Sequence, residues 1–115
     1  MNRLFQPTVK KNELGQKFIW GVATSAFQIE GGNNADGRGE SIWDRFCRVA
    51  GNIADGSDGA VACNHYNLWE SDLDLIADLN VDAYRFSISW PRVRPTGSGD
   101  WNEPGFEFYE QLIHG

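Results

Sequence analysis

The stretch Phe18–Gly32, FIWGVATSAFQIEGG, opens on an apolar run and passes over small residues to two polar side chains, Gln28 and Glu30. Phe18 to Val22 carry no charge and include aromatic and β-branched residues, which predicts a strand buried on both faces. Ala23, Thr24, Ser25 and Ala26 are compact, so other backbone can come close to them. Gln28 follows at the strand's end with an amide that both donates and accepts, the capacity that sugar hydroxyls require.

The chain has 115 residues, 41% of them hydrophobic, a length and balance that fit one small globular domain. Its formal net charge of −6, with no basic cluster, argues against nucleic acid and against an anionic membrane surface as partners. The amino-terminal MNRLFQPTVKKNELG lacks the continuous apolar core of a secretory leader, and no run is long enough to span a bilayer. A soluble cytoplasmic protein is the expectation. Cys47 and Cys63 are too few for the disulfide framework of a small secreted domain. Cys63 and His65 lack the spacing and the second ligand pair of a zinc site, so a buried thiol beside a hydrogen-bonded histidine is expected, with no metal.

Residues 33–40, NNADGRGE, read as a loop whose Asn, Asp and Gly supply turns. Its glycines do not form a phosphate cradle between a strand and a helix, and a nicotinamide-type domain would need such a turn where GVATSAFQ stands. Ser41 with Asp44 signals a short helix whose apolar side is Ile42, Trp43 and Phe46. GNIADGSDGAVA is again loop, and it lacks the closing Glu of a calcium loop.

From His65 to Asn80 the apolar residues, Leu68 or Trp69, Leu73, Ile76 and Leu79, recur at helical spacing, and Asn80 suits a helix stop. Val81–Trp90 then reads as a second strand with Arg85 inside it. Burying an unpaired guanidinium costs several kcal/mol, so Arg85 is expected to face a carboxylate. WPRVRPTGSGDWNEPG is a Pro- and Gly-rich loop, after which Asn102 is expected to cap a helix with Pro104 in its first turn and Phe106, Tyr109, Leu112 and Ile113 along one face. Trp43, Trp69 and Trp90 could serve as sugar-stacking platforms, but large aromatics dominate interiors, and most of the three are expected in the core. Alternating strands and helices point to an α/β fold with a parallel sheet.

Phe18, Trp20, Gly21, Ala23, Ser25, Ala26, Phe27, Gln28, Glu30 and Gly32 together resemble the amino-terminal signature of the family 1 glycoside hydrolases, the β-glucosidase family. The resemblance continues through GRGESIWDRF, NHYNLWESDLDLIADLNVDAYRFSISWPRV and GFEFYEQLI. His65 and Tyr66 match the family's His-Tyr pair, although Asn64 stands where many members carry Asp. The resemblance implies a (β/α)8 TIM barrel, of which residues 1–115 would be the first two strand-helix units, a truncated amino-terminal portion of one barrel domain. A whole barrel takes about 250 residues.

The activity so implied is that of a retaining β-glycosidase acting on a small β-glycoside or oligosaccharide without a cofactor. It uses two Glu residues about 5 Å apart, one the nucleophile and the other acid and then base. Neither would lie in this stretch, and the chain alone would be inactive. Asn102-Glu103-Pro104 spells the family's acid/base tripeptide, but that motif ends the fourth barrel strand, whereas here it follows the second. The resemblance makes Gln28 a residue that binds sugar hydroxyls and Arg85 the partner of the nucleophile. Glu30 is read as structural, tying the strand end to neighbouring backbone. The competing expectation is a non-catalytic carbohydrate-binding or interaction module.

Overall fold

The computed structural model describes residues 10–115, so the stretch read as lacking a secretory leader lies, through Val9, outside the described residues. A 3-10 turn, Lys11–Leu14, leads into strand β1 (Gly21–Ala23) and helices α1 (Ala26–Ile29), α2 (Ile42–Arg48) and α3 (His65–Asp78). Strand β2 (Ala83–Arg85) and helices α4 (Trp90–Val93) and α5 (Glu103–His114) follow. Among the described residues no helix is long and apolar enough to cross a membrane.

β1 and β2 pair in parallel, with Gly21 opposite Ala83, Val22 opposite Tyr84 and Ala23 opposite Arg85. Parallel strands cannot be joined by a tight turn, and α3 is the long element of the crossover between them. The pairing runs slightly beyond the strands: the Trp20 carbonyl accepts from the Asp82 and Ala83 amides at 2.7 and 3.1 Å, and the Thr24 amide donates to the Arg85 carbonyl at 3.0 Å. Both strands are shorter than the apolar runs suggest. Nor is the first run buried on both faces, because Gly21 and Ala23 are exposed and Ile19 is 71% exposed. A two-stranded sheet covers each strand along one edge only.

The core lies beside the sheet, where Val93 of α4 meets Phe108, Tyr109 and Leu112 of α5, with Tyr66, Trp69 and Leu73 of α3 and Phe86 packed against them. Of the face expected for α5, Tyr109 and Leu112 are buried, but Phe106 and Ile113 stay 41% and 66% exposed, and Phe108 is buried in their place. Close approach of α5 to α4 depends on Gly105, since a Cβ there would stand 2.2 Å from the Arg92 carbonyl oxygen. α3 ends as anticipated: Asn80, just past its last turn, has φ +53°, a left-handed conformation that Asn tolerates well.

α2 begins with the expected capping box. The Asp44 amide donates to Ser41 Oγ at 3.1 Å and the Ser41 amide donates to Asp44 Oδ2 at 2.7 Å. Its apolar side, however, is not packed away: Ile42, Trp43 and Phe46 are all exposed.

Candidate functional site

The small residues after β1 let its outgoing chain lie directly against that of β2. Thr24 Oγ1 and the Tyr84 hydroxyl share a 2.5 Å hydrogen bond, and the Ala26 amide donates to Ser87 Oγ at 2.8 Å. Ala26 is buried. The chain then makes one helical turn, α1, so Gln28 sits on a helix rather than on the end of the strand. Gln28 is exposed, and its side-chain amide makes no hydrogen bond among the described residues. Arg85 is the last residue of β2, opposite Ala23. It too is exposed, and the carboxylate partner expected for it is not found among the described residues. The parallel register thus carries Gln28 and Arg85 to the same, carboxyl-terminal end of the sheet.

The buried ion pair belongs instead to Arg92, which lies in α4 within a segment expected to be loop. Arg92 Nε donates to Glu30 Oε1 at 2.9 Å, and the two side chains are 1% and 5% exposed. One terminal nitrogen of Arg92 donates to the Gly31 carbonyl at 2.9 Å and the other to that of Gly32 at 3.4 Å, so the guanidinium is satisfied on every side. Its carbon stands 4.1 Å from the centre of the Tyr66 ring, a cation–π contact. The second carboxylate oxygen of Glu30 accepts from the Tyr109 hydroxyl at 2.5 Å, and the Tyr109 oxygen accepts from the Ser89 amide at 2.7 Å. Burial, and then the Glu30 charge, push the Tyr109 hydroxyl well above the usual tyrosine range and keep it a donor. With both oxygens engaged and 4% of its surface exposed, Glu30 is structural. Its partners are side chains, where neighbouring backbone was expected. A readable signal did exist: a tyrosine on the buried face of α5 must find a partner for its hydroxyl, and Glu30 must find a cation.

Around this centre the loop after Gly32 is fastened down. Tyr66, whose amide donates to the Glu30 carbonyl at 2.9 Å, donates a short hydrogen bond from its hydroxyl to the Asp36 carboxylate. Burial first, and then that carboxylate, push the Tyr66 hydroxyl up to about 12. Asn102 precedes α5 as expected but makes no side-chain cap. Its amide donates instead to the carbonyls of Asp36 and Arg92 at 2.8 and 2.9 Å. His65, at the start of α3, is buried with Nδ1 2.7 Å from Asp72 Oδ2. Cys63 is exposed, against expectation, because it lies in the loop before α3 rather than on its packed face; it and Cys47 are free thiols. No cluster among the described residues could hold a metal ion. Glu103 is exposed at the first position of α5.

Of the three tryptophans, only Trp69 packs on the core; Trp43 and Trp90 are 51% and 50% exposed. Trp43 leans on Phe27, the neighbour of Gln28, with ring centres 6.2 Å apart. An open groove of about 480 Å³ runs between Trp43 and Trp90, lined also by Ile42, Pro91 and Pro95.

Residues 10–115 match the family described as Glycosyl hydrolase family 1. The chain is 56% identical over 97 residues to β-glucosidase A of Acetivibrio thermocellus, an alignment that covers 84% of the chain and 22% of that protein. It is 54% identical over 98 residues to a β-glucosidase of an Agrobacterium species, covering 85% of the chain and 21% of the relative. Its fold superposes on the Thermotoga maritima β-glucosidase in complex with castanospermine with a TM-score of 0.84 at 52% identity, over 86% of this chain and 22% of the other. The chain thus spans about a fifth of the length of the proteins it matches.

Proposed function

This chain belongs to glycosyl hydrolase family 1, and from that premise we propose that it forms the first two strand-helix units of a (β/α)8 barrel that hydrolyses β-glycosides with retention of configuration. In this reading Gln28 hydrogen-bonds the hydroxyls of the terminal sugar. Arg85 holds the carboxylate nucleophile ionised. The nucleophile and the acid/base Glu are contributed by the rest of the barrel, and a small β-glucoside is the substrate class. What carries the reading is the parallel register: it brings an exposed side-chain amide and an exposed guanidinium, neither bonded to another side chain among the described residues, to the carboxyl-terminal end of one sheet, where barrels of this architecture place their chemistry. An amide presented there is well suited to sugar hydroxyls, because a site built on such hydrogen bonds strongly rejects analogues that leave it unpaired.

The test is a hybrid β-glucosidase in which the matched region of this chain replaces the corresponding fifth of the Thermotoga maritima enzyme. The hybrid should hydrolyse an aryl β-glucoside, and Gln28→Ala should lower kcat/KM by about 1–3 kcal/mol in transition-state terms. A hybrid that folds cooperatively yet shows no turnover would remove the proposal.

A further inference from the structure

The turn that carries Gln28 is a single four-residue helix, too short to hold itself in water and without a side-chain cap at Ser25. It is held from outside at both ends. At its start the Ala26 amide is bound by Ser87, from the segment following β2. At its end Glu30 is gripped by Arg92 and Tyr109. The Tyr109 hydroxyl does more than satisfy Glu30, because the same oxygen accepts from the Ser89 amide. Ser89 lies on the chain leaving Arg85, and Glu30 on the chain leaving Gln28. One hydroxyl, 79 residues away in sequence from Glu30, therefore joins the two segments that bear the proposed sugar contact and the proposed nucleophile partner.

We infer that Tyr109, acting through Glu30, is a positioning residue that sets where Gln28 stands relative to Arg85, and so fixes the distance between the sugar-binding amide and the reacting carbon. The inference rests on the reading of Gln28 as the sugar ligand. Burial supports it: Tyr109 and Glu30 are 3% and 4% exposed, so water cannot take over either bond when the hydroxyl is lost. Arg92 ties the same two segments from another side, since its side chain holds Glu30 and the Gly31 and Gly32 carbonyls while its own backbone amide donates to the Ser89 carbonyl at 3.0 Å. Tyr109 is the second tie, and the one whose loss leaves the Arg92–Glu30 ion pair in place.

The experiment is a double-mutant cycle in the hybrid enzyme, comparing the parent with Tyr109→Phe, Gln28→Ala and the pair, with kcat/KM for an aryl β-glucoside as the readout. Tyr109→Phe removes one oxygen and no ring volume. It should lower kcat/KM about tenfold when Gln28 is present and by no more than about twofold when Gln28 is already Ala. Equal losses in both backgrounds would mean that Tyr109 merely stabilises the fold, and the inference falls. If Gln28→Ala is silent by itself, the sugar-contact reading fails and this inference with it. Should Tyr109→Phe not fold, Glu30→Gln takes its place in the cycle, and the same comparison of losses decides.

Discussion

Two arginines close together in the chain face opposite physical situations. Arg92 is almost wholly removed from water and is tolerated only because Glu30, two carbonyls and an aromatic face surround it. Breaking that set should be expensive: in the hybrid enzyme Arg92→Met leaves the Glu30 carboxylate buried with only Tyr109, and urea unfolding should show a loss of about 3–5 kcal/mol. The exposed pair of Arg45 and Glu40, at 3.5 Å, is the control, and its removal should cost no more than about 1 kcal/mol. Arg85 should behave in the other way, touching activity more than stability. A positive charge nearby lowers a carboxyl pKa by about one to three units, so Arg85→Met should move the acidic limb of the pH–rate profile upward. If the limb stays in place and only the unfolding midpoint falls, Arg85 is a structural cation.

Among the elements, α2 shows how local chemistry sets a boundary without providing burial. Its start is fixed by the Ser41–Asp44 box, which Arg38 reinforces with a bond from Nη1 to Asp44 Oδ2 at 2.9 Å. Burial by itself pushes the Asp44 carboxyl up, but the bonds from Ser41 and Arg38 together outweigh it and hold the group below its ordinary 3.8. A folded-state pKa below the unfolded one means stability that is fully present above about pH 4 and lost as pH falls through the folded value. Asp44→Asn in the hybrid should therefore lower the unfolding midpoint at neutral pH and flatten its decline below pH 4, measured by thermal melts at stepped pH. An unchanged acid limb would show that the box contributes no charge-dependent stability. At the other strand-helix junction, Ser25 offers no such cap to α1. α1 depends on tertiary contacts where α2 depends on its own sequence.

For the whole molecule, surface decides. Among the described residues the buried hydrophobics are Ala26, Val93, Phe108, Tyr109 and Leu112, while Phe18, Ile19, Ile42, Leu75, Leu79 and Ile88 remain exposed. The radius of gyration, 17.4 Å, exceeds the about 13 Å of a compact domain near this length. Among the described residues each strand also leaves one edge unpaired, and open edges beside apolar surface promote association. The 115-residue chain by itself should elute as soluble aggregate or unfold without a sharp transition, and it should not hydrolyse an aryl β-glucoside. A monodisperse monomer with a cooperative transition would favour a self-sufficient binding module. Turnover retained through purification would mean that the chain holds a carboxylate pair of its own.

What the residues determined by themselves was local and periodic. The apolar run at Phe18, the 3.6-residue period after His65, the Ser41–Asp44 box and the stop at Asn80 each follow from chain sterics or from bonds that span a few positions. The parallel sense of the sheet followed too, since alternating strands and helices leave no tight turn between strands. Which arginine would be buried was decided only by the tertiary structure. Glu30, Arg92 and Tyr109 meet across 62 and 79 positions, and no local period encodes a contact at that separation. The same holds for Asn102, whose position predicted a cap but whose amide found two distant carbonyls instead. Exposure was equally beyond local reading. An apolar side chain such as Trp43 is buried only if another element arrives to cover it, and whether one does is a property of the assembled fold.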